Sequence, residues 1–128
     1  SVYNYVMNKY ISSIIICGAA AEYLLDDIIF ITNLTKSQKE KIQKINSQEN
    51  KLILCKYAGI IVQSEYSMFE EIRQNRNDYA HPKDRIIAYS EAEAEKIRSQ
   101  RNKEAKERAK KSIKNLINLG NNVYSKLS

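Results

Sequence analysis

A chain of 128 residues, with 43% hydrophobic and 28% charged content, fits one domain that buries its own core. Three glycines and one proline are too few for a fold built on strands and hairpins, so an all-α chain is expected. The formal charge of +6 lies wholly in residues 85–128, while residues 1–84 balance; a neutral body with a basic helical tail suits nucleic acid.

Residues 2–32 read as one long helix, because Ile11, Ile14, Ile15, Gly18, Ala21, Leu25, Ile28 and Ile29 recur at helical spacing. The small residues Gly18, Ala19, Ala20 and Ala21 leave room for a second helix to approach closely. "ISSIIICGAAAEYLLDDIIFI" is apolar enough to suggest a membrane span, but Glu22, Asp26 and Asp27 would each cost a few kcal/mol at mid-bilayer. No membrane association is expected. A cleavable signal peptide is not expected either, since the start lacks basic residues. Ser37 followed by Glu40 has the spacing of a capping box and predicts a short polar helix to about Ile45. "NKLILCKYAG" predicts a third helix stopped by Gly59. Cys17 and Cys55 each sit in apolar helical pattern; two unclustered cysteines make neither a disulfide framework nor a zinc site, and point to the reducing cytoplasm.

A fourth helix starts near Ser64 and puts Phe69, Ile72 and Arg76 on one face. It runs into "RQNRNDYAHPKD", which holds the only histidine and the only proline. Pro82 disfavours α geometry at His81, so the helix is expected to end between Asn77 and Ala80. In a continued helix His81 would point about 140° away from Arg76; leaving the helical course lets the two side chains meet. Ser90 and Glu93 are a second capping-box pair. They open a long basic helix over about 90–120, which Gly120 and Asn121 are expected to break.

Arg76, Asn77 and His81 are the parts that RNA scission requires. A base takes the ribose 2′-OH proton, an acid protonates the leaving 5′-oxygen, and a cation holds the charge growing on phosphorus. Histidine serves as acid or base near neutral pH, and the guanidinium fork suits phosphate. One histidine per chain cannot be acid and base at once, so a symmetric homodimer would supply two. The same residues also have a purely structural explanation, an arginine snorkelling at a helix end and a histidine favoured by the C-terminal dipole.

"EIRQNRNDYAHP" resembles the signature of the HEPN superfamily (higher eukaryotes and prokaryotes nucleotide-binding), Arg-x4-6-His with a polar residue, often Asn, after the arginine. The motif fits at Arg76, Asn77 and His81. The helix carrying "CGAAAEYLL" looks like the alanine-rich first helix of these domains, and the likeness covers most of residues 1–125. The resemblance implies one domain over residues 1–128, an antiparallel bundle of four to five helices that dimerises. It further implies a metal-independent endoribonuclease cleft between paired motifs, with no cofactor. His81 would be the acid/base, Arg76 the phosphate ligand and Asn77 a support. Members act in toxin–antitoxin systems or antiviral defence, so a cognate antitoxin or a larger defence protein is the implied context. Some members are non-catalytic. A helical module that only binds RNA or protein therefore stays open as the alternative.

Three further groups matter. Glu22 and Asp26 share a helix face; they form a salt bridge or solvated stripe, hold a divalent ion, or fix Arg76 across the bundle, and Glu22 is the one expected to reach the site. Asp78 and Tyr79 lie inside the motif, and Tyr79 is suited to stack on a base. The run from Lys96 to Lys114 contains Lys103, Lys106, Lys110 and Lys111, candidates for phosphate contacts without sequence choice, or else a solvated face. Gly-rich phosphate loops, nucleophile elbows and zinc ligand sets are missing.

Overall fold

In a computed structural model, residues 2–80 and 90–127 are described. They form five helices: α1 (Val2–Ile31), α2 (Lys36–Gln43), α3 (Gln48–Tyr57), α4 (Gln63–Ala80) and α5 (Glu91–Leu127). No strand occurs among the described residues, so the all-α expectation holds. His81, Pro82 and the "PKDRIIAY" connection lie outside the described residues.

α1 is the central helix, packed against both α4 and α5. Its periodic residues Ile14, Cys17, Ala21, Leu25 and Ile28 are all buried. Cys17, Ala21, Leu25 and Ile28 meet Leu52 and Cys55 of α3, Phe69 and Ile72 of α4, and Leu119 and Val123 of α5 in one core. Each fully buried Leu, Ile or Phe contributes roughly 1.5–3 kcal/mol. The basic half of α5 buries only small side chains, Ala105, Ala109 and Ser112, and so approaches its neighbours closely. α4 and α5 run antiparallel, since Glu65 pairs with Lys126, Asn75 with Ser112 and Asp78 with Arg108.

The helix ends show where local rules compete. α2 is capped by Thr35, not Ser37. Thr35 Oγ1 accepts from Gln38 N–H at 3.1 Å and Gln38 Oε1 accepts from Thr35 N–H at 3.0 Å. Thr-x-x-Gln has the same spacing as Ser-x-x-Glu, and Thr35 comes first after the turn with extended backbone, φ −67° and ψ 155°. The helix also ends at Gln43, short of Ile45. α3 starts at the N-cap Ser47 and stops as expected at Gly59, whose φ is 75°. Ile60 N–H donates to Cys55 O at 2.9 Å and Gly59 N–H to Lys56 O at 3.1 Å, the paired bonds of a Schellman ending.

α5 contradicts the expected break at Gly120 and Asn121: it continues to Leu127. A helical glycine costs about 1 kcal/mol, and burial of Leu119 and Val123 on either side outweighs that. The N-terminal expectation is met at Ser90, whose Oγ accepts from Glu93 N–H at 3.1 Å.

Both thiols are buried, Cys17 at 4% and Cys55 at 0% exposure. Burial pushes both upward, Cys55 to about 11, with Lys51 opposing. The folded chain therefore resists alkylation at pH 7–8 and reacts only when unfolded, which counting modified thiols by mass would check. Since the folded value exceeds the ordinary 9.0, the contribution of Cys55 to stability is complete below pH 9. It is lost as pH rises towards 11. No described helix is long and apolar enough to cross a membrane.

Candidate functional site

Arg76 is placed by α4 and held by α1. Its aliphatic stem lies over Gly18. A Cβ built on Gly18 would stand 3.0 Å from Arg76 Cγ and 3.1 Å from its Cβ, and closer still to Cδ. Gly18 is thus a seat for the arginine stem. At the tip, Arg76 Nη1 donates to Glu22 Oε1 at 2.6 Å. The guanidinium is only half-buried, with 32% of the side chain exposed, so its remaining N–H groups can be reached from solvent.

The acidic pair of α1 separates. Glu22 goes to Arg76, whereas Asp26 faces Lys51 at 3.7 Å. Among the described residues no group of three or more His, Cys, Asp or Glu is placed to hold a metal ion.

The motif divides between two neighbours. Arg76 faces α1, and Asn77 is exposed. Asp78 Oδ2 accepts from Arg108 Nη1 of α5 at 2.6 Å, and the same guanidinium covers the Tyr79 ring at 5.6 Å. Arg108 also reaches Glu104 at 2.8 Å. Burial, then the Glu104 carboxylate, pushes the Tyr79 hydroxyl upward, with Arg108 opposing. Asp78 and Tyr79 therefore clamp α4 to α5. They do not gather around Arg76, and the Tyr79 ring already stacks on a cation. One residue earlier, buried Asn75 donates to Ser112 Oγ at 3.2 Å.

The side of α4 that carries Arg76 opens into a cavity of about 460 Å³ between α1, α3 and α4. Arg73 stands beside Arg76 in its wall. Its Nε donates to Glu70 Oε2 at 2.9 Å, and its Nη2 to Glu70 Oε1. That bond holds the Glu70 carboxyl below its ordinary value and the arginine above its own.

The four lysines named from the sequence are all exposed, but they do not form one patch. Lys103, Lys106 and Lys110 lie on one side of α5 by helical spacing. Lys111 lines the groove between α4 and α5 together with Glu71, Glu104 and Glu107.

Sequence reasoning missed Arg108 as the partner of Asp78, thirty positions away, and Arg73 with the start of α3 as walls of the cavity. Gly18 had a signal, a glycine inside a helical alanine run, but not its partner. Comparison with protein-family models, curated proteins and solved structures finds no match to this chain.

Proposed function

We propose that the chain is a HEPN-type endoribonuclease that works as a homodimer, as a toxin or defence effector. The reading rests on the Arg-Asn-x3-His order at Arg76, Asn77 and His81, and one observation supports it above others. Arg76 is seated on Gly18, oriented by Glu22 and left half-open to solvent. An arginine held that way is prepared for a phosphate, whereas one that merely ends a helix has no need of a glycine seat.

In the reaction, a base removes the ribose 2′-OH proton and the 2′-oxygen attacks the adjacent phosphorus. The bond from phosphorus to the 5′-oxygen breaks, and an acid protonates that oxygen. The products are a 2′,3′-cyclic phosphate and a 5′-hydroxyl. His81 of each protomer supplies one of the two proton-transfer groups. Arg76 balances the charge on the phosphoryl oxygens, and Glu22 keeps the guanidinium aimed. Glu22 also competes with the substrate phosphate for Arg76.

RNA incubated with the chain in EDTA is expected to be cut, with cyclic phosphate ends by mass. Loss of cutting in EDTA, or products ending in 3′-hydroxyl groups, would contradict the reading. A non-catalytic RNA-binding module is the second reading, favoured by the exposed Lys103, Lys106 and Lys110. It predicts salt-sensitive binding, abolished when Lys103, Lys106 and Lys110 are neutralised, and no cleavage.

A further inference from the structure

The cavity beside Arg76 is not used by the proton transfers, and its lining has two distinct zones. The deep part is apolar, with Ala21, Leu52 and Ile72 all buried. The outer part is polar, with Gln48 half-buried and Asn77 exposed. Neither amide makes a side-chain hydrogen bond to a described residue, so both can serve a ligand. The charges of the lining cancel: Arg73 and Arg76 are matched by Glu22 and Glu49. A multiply charged ligand gains little there, whereas an uncharged planar group with polar edges fits both zones. The volume of about 460 Å³ lies in the range of small-molecule pockets.

We infer that this cavity takes the base of the nucleotide whose phosphate Arg76 holds, and so sets a base preference beside the cut. The inference rests on the ribonuclease reading for the role of Arg76. A phosphate on the Arg76 guanidinium places its own nucleoside at the cavity mouth, because the arginine is part of the cavity wall. The ring would enter over Leu52 and Ile72, and the Gln48 and Asn77 amides would meet its edge. Amides that both donate and accept distinguish bases by hydrogen bonding.

The experiment compares ribose 5-phosphate with the four ribonucleoside 5′-monophosphates by titration calorimetry on the intact chain. At least one nucleotide is expected to bind about tenfold more tightly than ribose 5-phosphate. Gln48→Trp fills the cavity mouth from the first turn of α3 and should abolish that difference. Gln48→Leu keeps the space and should reduce it while altering which base is preferred. Circular dichroism establishes that both variants are folded. Equal binding of ribose 5-phosphate and all four nucleotides would overturn the inference, as would no binding of any, or an unchanged difference in Gln48→Trp. None of these measures cleavage, so the inference can fail while RNA cutting in EDTA still occurs, and the reverse.

Discussion

An Arg76→Ala chain is expected to cut RNA about 1,000-fold more slowly than the parent, and Gly18→Ala about 100-fold more slowly with its fold intact. On the ribonuclease reading proposed above, the first loss follows from removing the cation that would balance charge on the phosphoryl oxygens. The second separates the seat from the arginine itself. Alanine in a helix is better than glycine by about 1 kcal/mol, so α1 should not weaken. The new Cβ, however, would occupy the space of Arg76 Cδ and press on Cγ at 3.0 Å. The stem must move, and the 2.6 Å bond to Glu22 goes with it. A shift of about 1 Å in a reacting group is enough for a 100-fold loss. Thermal melting and initial cleavage rates on the same preparations check both variants. Cleavage by Gly18→Ala at the parent rate would show that the seating of Arg76 is irrelevant to the proposed chemistry.

The second large effect is on stability. Glu65→Ala is expected to cost about 3 kcal/mol, a fall of roughly 10 °C in melting temperature. Glu65 is 1% exposed. Its Oε1 accepts from Val62 N–H at 3.0 Å, where α4 begins, and both carboxylate oxygens meet Lys126 Nζ, at 3.3 and 3.2 Å. One side chain thus closes the start of α4 and ties down the end of α5. Removing it leaves an unpaired N–H and a cavity in the core, and frees the exposed Lys126 end of α5. Glu65→Gln keeps an acceptor for Val62 and should cost less than half as much. Chemical denaturation of the three chains gives the order, and equal stability of all three would show that the cluster holds nothing together.

Much of this architecture was legible because it is written locally. The apolar spacing of α1, the stop at Gly59 and the face of α4 follow from helical period and backbone preference. Even the pairing of Glu22 with Arg76 had a trace, since an acid inside an alanine patch marks where another helix comes close. Other contacts between residues far apart in the chain left none. Asp78 with Arg108, and Glu65 with Lys126, are separated by 30 and 61 positions, and no period of three or four residues encodes them. The same gap hid the contacts of Asp78 and Tyr79 with Arg108 of α5. Thr35 displaced Ser37 because two caps of equal spacing differ only in the backbone before them. Gly120 stayed helical because buried neighbours outweigh propensity. His81 lies outside the described residues, so its relation to Arg76 rests on the sequence motif.

The most direct test of the ribonuclease reading is the initial rate of RNA cleavage by the parent chain and by His81→Ala, side by side in EDTA. The chemistry proposed for the paired histidines predicts a fall of about 1,000-fold, with the helical spectrum and melting temperature unchanged. Cleavage by His81→Ala at the parent rate would contradict it.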